Sequence, residues 1–123
     1  MPGGGDRLNQ VVSGEPSLGT PHWHHETLEN NSSRTNTTIT YTPNVPTGSK
    51  LIYAIIQGKA TAVSNYARFV DMNGNLDYGT NIIQVANTNV ALAGICSLVG
   101  GQFKVEYSGI WSGIYVITDF YWI

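Results

Sequence analysis

The longest patterned stretch of the chain is its last, residues 102–123. Phe103, Val105 and Tyr107 alternate with Lys104 and Glu106, the period of two expected of a strand with one solvated face. Ser108, Gly109, Ser112 and Gly113 predict a turn region around Ile110 and Trp111. A second strand is predicted over 114–122, making a terminal hairpin. Ile114, Val116, Phe120 and Trp122 would point one way, and Tyr115, Ile117, Tyr121 and Ile123 the other. A strand apolar on both faces needs cover on both. A chain of 123 residues has one modest core to offer, so the second cover is expected from a neighbouring subunit.

Upstream, residues 37–42 are β-branched and aromatic, a strand ending before Pro43. A loop over 44–49 leads to a short apolar run, 51–57, read as a central buried strand. Small residues over 58–65 predict a turn or weak strand, and 66–71 another strand. Asn73-Gly74-Asn75 supplies a tight hairpin turn. Strands over 82–86 and 90–99 follow, with Gly100-Gly101 before the terminal pair. About seven or eight short strands separated by Gly and Asn turns predict an all-β fold, an antiparallel β-sandwich of jelly-roll or Greek-key style. Residues 1–33 show no sustained period and carry Gly3-Gly4-Gly5, Pro16, Gly19 and Pro21, which reads as an extended N-terminal docking arm. The domain is therefore placed at 34–123.

Composition narrows the partners. Only 11% of residues are charged, against roughly 25% in an ordinary soluble domain. Net charge is −2 with no basic stripe, which disfavours nucleic acid and anionic membranes. No run is long enough to span a bilayer, and the first ten residues lack both the basic start and the apolar run of a secretion signal. The single cysteine, Cys96, lies in an apolar run and reads as a buried small hydrophobe.

Chemistry-bearing residues are few. Pro21-His22-Trp23-His24-His25-Glu26 is the one conspicuous cluster. In an extended segment His22 and His24 share a side, while His25 faces the other way with Trp23. Two imidazoles under-coordinate a metal; the pair completes a site only when copies meet on a threefold axis. Otherwise these rings pack on a partner or on their own sheet. Asp71 and Asp77 flank the Asn73 turn and read as turn-stabilising residues rather than a hydrolytic pair. Asp119, in the most apolar strand, needs a donor, with Arg68 or a tyrosine hydroxyl as candidates. No Ser-His-Asp order, phosphate loop or paired-Cys pattern is present, so no catalytic residue is assigned and no enzyme is expected.

Two segments carry a resemblance, VPTGSKLIYAIIQGKATAVSNYARFVDMNGN and GQFKVEYSG…SGIYVITDFYWI. Residues 37–123 are similar in pattern to the small β-sandwich virion proteins of tailed bacteriophages, namely capsid decoration (cement) proteins and the heads of tail fibres and appendages. His22-Trp23-His24 likewise resembles the His-x-His metal sites of trimeric phage fibres and spikes. The resemblance implies a homotrimer located in the virion, docked on capsid or tail proteins through its N-terminal arm. The terminal strand's Ile114–Ile123 apolar residues would lie at the trimer interface. The alternative is a carbohydrate-binding sandwich, with Tyr53, Tyr66, Tyr78 or Trp111 stacking on the sugars of a host surface glycan.

Overall fold

The strand that starts at Phe103 runs on to Trp122 without the chain turning back. The computed structural model, which describes residues 19–75 and 77–123, shows one strand of 20 residues where a terminal hairpin was expected. Gly109 (φ +84°) and Gly113 (φ +59°) take left-handed conformations inside it. Glycine adopts that region at little cost. The β1 edge stays paired on either side of both, while on the other edge the partner changes between Tyr107 and Trp111, so the glycines bend the strand instead of ending it.

The elements are β1 (His22–Tyr41), β2 (Leu51–Ala60), β3 (Tyr66–Val70), β4 (Asp77–Ile82), β5 (Val90–Ser97) and β6 (Phe103–Trp122). All pairings are antiparallel and belong to one sheet, and the described residues contain no helix. β1 runs along the whole of one edge of β6, from His22 opposite Tyr121 to Tyr41 opposite Phe103. The other edge of β6 is shared: β2 pairs with residues 111–122 and β3 with residues 104–107. β5 then pairs with β2, and β4 with β3. The sheet thus has a β1–β6–β2–β5 half and a β1–β6–β3–β4 half, joined through the two long strands.

Irregularities mark the line between the halves. Asn31 and Asn36 in β1, Ser64 between β2 and β3, and Asn87 between β4 and β5 all have positive φ. β1 also slips register repeatedly against β6 between Asn30 and Thr37. Bulges sharpen twist and bend a strand, and these fall where the sheet folds over. The result is an antiparallel sheet nearly closed into a barrel. Closure brings Phe69 of β3 so near Gly94 of β5 that a Cβ there would lie 3.0 Å from the ring.

The inner face holds one continuous core. Ile52, Ala54 and Ile56 of β2, Ile114 and Val116 of β6, and Cys96 of β5 come from one half. Phe103, Val105 and Tyr107 of β6, Ala67 and Phe69 of β3, and Tyr41 come from the other. Burial pushes the Cys96 thiol up to about 12, so the thiolate is scarce at neutral pH. Cys96 should resist an aromatic disulfide reagent in the native protein and react fully in denaturant; rapid native labelling would contradict this packing.

Other expectations shift. Residues 22–33, assigned to the arm, form the first half of β1 and pair with β6, so a boundary at 33/34 falls inside a strand. Residues 1–18 of that arm lie outside the described residues. The strand expected at 82–86 sits instead at Asp77–Ile82, with residues 83–89 connecting it to β5.

Candidate functional site

Paired residues on neighbouring strands share a face, so the register assigns the outside of the barrel residue by residue. On the β1–β6–β2–β5 half, Trp23 pairs with Phe120, Phe120 with Tyr53, and Tyr53 with Ile95. The next outward row is Thr27, Ile117, Ile55 and Ala93, and the third is Asn30, Tyr115, Gln57 and Ala91. Three rows across four strands thus contain no charged side chain. Trp23 is 67% exposed and Ile95 42%, while Phe120, Tyr53, Ile55, Ile117 and Tyr115 are half-buried. Trp23 and Tyr53 meet the Phe120 ring edge-on, at 5.3 and 6.2 Å between centroids.

A bulge explains why the aromatic row faces outward. Asp119 is an extra residue on β6 between the Phe120–Tyr53 and Thr118–Ala54 pairs, so alternation flips there. Thr118 is fully buried and Phe120 is turned out. Asp119 accepts from His25 Nδ1 at 2.8 Å; its partner is thus neither Arg68 nor a tyrosine.

The residues expected at an intersubunit contact therefore divide. Ile114 and Val116 are fully buried in their own core, and Trp122 is only 8% exposed. These three have no surface to give a partner, which corrects the expectation for them. Tyr121 packs against the core and stacks on His22 at 5.0 Å. Tyr115, Ile117 and Phe120 lie on the outer face, and Ile123 is exposed.

The histidines sit as their alternation required. His22 and His24 both contact the Tyr121 ring, whereas His25 lies beside Trp23 on the other side. His24 Nε2 is hydrogen-bonded to Glu26 Oε1 at 2.8 Å, and Asn44 N donates to the same oxygen. In this arrangement His24 offers a metal only Nδ1. Among the described residues no group of three or more His, Cys, Asp or Glu side chains converges on a common point. Asp71 and Asp77 hold turns: Asp71 Oδ1 accepts from Asn73 N and Asn75 N, and Asp77 Oδ1 from Gly79 N.

The other half of the barrel is polar outside. Thr38, Glu106, Arg68 and Thr80 pair in a row across β1, β6, β3 and β4. Arg68 Nε donates to Glu106 Oε1 at 2.7 Å, and its guanidinium carbon lies 5.2 Å from the Tyr66 ring centre. The hydrogen bond to Glu106 holds the Arg68 pKa above its ordinary value. An open groove of about 460 Å³ runs here between residues 36–38 of β1, Tyr66, and residues 106–108 of β6. Asn36 Oδ1, at its rim, accepts from Gly109 N at 2.7 Å.

Behind the groove lies a network invisible in the local pattern. Glu29 is 7% exposed. It accepts from Arg34 through Nε (3.1 Å) and a terminal nitrogen, and from the Tyr41 hydroxyl (3.0 Å). Tyr41 and Tyr107 hydroxyls are 2.8 Å apart. Tyr41 has one proton and gives it to the carboxylate, so Tyr107 donates to Tyr41. Burial works to raise the Glu29 pKa, but hydrogen bonds from Ser32, Arg34 and Tyr41 with the Arg34 charge together hold it below 4.5. Burial raises both tyrosines well above the ordinary phenol value. Glu29 and Arg34 are both on β1 and meet only because that strand bulges between them.

Of the aromatics considered for sugar contact, Trp111 is fully buried and is unable to stack on a ligand, Tyr78 packs against the core, and Tyr53 and Tyr66 keep outward surface. No helix among the described residues is long and apolar enough to cross a membrane. Compared with known protein families and with curated proteins, the chain matches none.

Proposed function

We propose that this protein is a structural component of a bacteriophage virion, a decoration or tail-appendage protein that assembles as a homotrimer. In this reading the barrel-like sheet is a sandwich of jelly-roll or Greek-key style. Docking on capsid or tail is assigned to the N-terminal segment ahead of β1. The observation that carries the assembly reading is the mostly apolar outer face built on Phe120, Tyr53, Ile117, Ile55 and Tyr115, beside which Asp119 is engaged by His25. Apolar patches of this kind on a soluble chain mark contact surfaces. Covering a few hundred Å² of such surface at roughly 25 cal/mol per Å² supplies several kcal/mol before association costs.

The test is the mass of the full chain in solution, measured by sedimentation velocity beside Ile117→Glu. Ile117 points outward between Thr27 and Ile55, so a carboxylate there should leave the fold intact and oppose burial of the face. We expect a trimer for the parent chain and a folded monomer for the variant. A parent chain that stays monomeric at tens of micromolar sinks the assembly reading. Assembly that survives the substitution places the contact elsewhere.

A further inference from the structure

We infer that the groove between Asn36 and Ser108 is a binding site for an uncharged saccharide of one or two rings, with Tyr66 as its stacking surface and Thr38 and Glu106 as its polar contacts. The inference does not rest on the assembly reading, because the groove lies on the β1–β6–β3–β4 half and the apolar face on the other.

Size comes first. At about 460 Å³ the groove falls within the range of small-ligand sites, roughly 300–1,000 Å³. Its lining is hydroxyl and amide rather than aliphatic: Asn36, Thr37, Thr38 and Ser108 supply short neutral groups. Such a lining does not reward a hydrocarbon, whose burial there would strip water from hydroxyls without replacing it. It suits a ligand that brings its own alternating donors and acceptors.

Charge comes next. Glu106 and Arg68 are paired at 2.7 Å, and Asp77 lies 3.9 Å from the same guanidinium. Arg68 is thus already balanced by carboxylates, and nothing positive is left over for a phosphate or a carboxylate ligand. Glu106 uses Oε1 for Arg68, and Oε2 has lone pairs for a ligand hydroxyl. Asn36 uses Oδ1 for Gly109, which leaves its amide hydrogens as donors.

The aromatic completes the set. Arg68 lies over one face of the Tyr66 ring, and Tyr66 is the residue of β3 that lines the groove. An aromatic beside a row of hydroxyl, carboxylate and amide groups matches a pyranose, which has an apolar CH face and a polar rim. A nucleotide would match the ring with its base but carries phosphate, and the groove lining holds no lysine or arginine to meet it.

The experiment is a titration of ¹⁵N-labelled full-length protein, followed by amide chemical shifts. The probes are methyl glycosides of glucose, galactose and mannose, N-acetylglucosamine and, as the acidic probe, N-acetylneuraminate. A neutral probe should give saturable shifts confined to residues 36–38, Tyr66 and residues 106–108. Tyr66→Ala should weaken binding roughly tenfold or more, and Tyr66→Phe should retain most of it. Thr38→Val, at an exposed position that tolerates change without unfolding, should weaken it several-fold. Trp23→Ala, on the far half, should leave it unchanged. The assignment is overturned by the absence of saturable shifts with any neutral probe at tens of millimolar. It is overturned equally by a response to N-acetylneuraminate alone, or by shifts centred on Trp23, Tyr53 and Phe120.

Discussion

Trp111→Ala is expected to lower the unfolding free energy by about 3–5 kcal/mol, the usual cost of deleting a large buried aromatic. Trp111 is fully buried in β6, at the line where the sheet folds over, between Arg34 of β1 and Ala60 of β2. Its Nε1 donates to Ser108 O at 2.9 Å, and its ring meets Tyr107 edge-on at 6.3 Å. A Cβ at Gly58 would come within 3.3 Å of the indole, so the backbone of β2 is close-packed against it. Alanine would open a void touching both halves of the barrel and leave Ser108 O without its donor. With total stabilities of roughly 5–15 kcal/mol, the variant should sit near its unfolding midpoint in mild denaturant. Trp111→Phe keeps most of the ring contact and loses the hydrogen bond, so about 1–2 kcal/mol is expected. Equilibrium urea unfolding of all three proteins gives the comparison. A loss under about 1 kcal/mol for alanine would mean that the fold line is not pinned by this side chain.

That corner is also where the sequence misleads. Ser108, Gly109, Ser112 and Gly113 around an aromatic read as a reversal, because local pattern cannot distinguish a glycine that turns a chain from one that bends it. What decides is the neighbour: β1 is long enough to stay paired past both glycines, and β2 is there to pair with residues 111–122. Those partners lie far away in sequence. The first half of β1 was missed for a related reason. His22, Trp23, Glu26, Glu29 and Asn31 show no clean alternation, since register slips interrupt it several times. Its strand character comes from pairing with β6 rather than from propensity, the usual weakness of local β signals. By contrast β2 and β5, regular in register with each other, were legible as strands over 51–57 and 90–99, with only their ends misplaced.

The surfaces divide the same way. That residues 114–122 are apolar on two faces was plain, and the structure encloses one face while leaving the other half-exposed. The sequence could not assign Phe120, because the bulge at Asp119 reverses the alternation, and only the pairing of Thr118 with Ala54 reveals it. Tyr66 was visible as one aromatic among several. Its grouping with Thr38 and Glu106 depends on three strands meeting in register. The Glu29 network left one trace, an acidic residue five before an arginine, too common to be a signal.

The second large effect belongs to that carboxylate. At neutral pH Glu29 is ionised, nearly enclosed, and holds Arg34 and Tyr41 together. Replacing it with glutamine keeps the shape but removes the charge, and should cost about 2–4 kcal/mol, since the partners remain and their ion does not. The pH dependence follows from the direction of the shift. Glu29 has a lower pKa folded than unfolded, because the bonds from Ser32, Arg34 and Tyr41 outweigh its burial. The unfolded chain therefore binds the proton first, and stability falls as pH drops. The contribution is fully present above about pH 4.5, the ordinary value, and is lost as pH falls through the depressed one. Below that point a protonated Glu29 is nearly the equal of glutamine. The gap between the parent chain and Glu29→Gln should accordingly be widest near pH 7 and close in acid, in urea unfolding followed from pH 7 to about 2.5. The pair of Arg68 and Glu106 is present in both proteins and cancels in the difference. A gap that stays constant across that range would show that the carboxylate is not held ionised by its partners, and that β1 is closed across its bulge by packing alone.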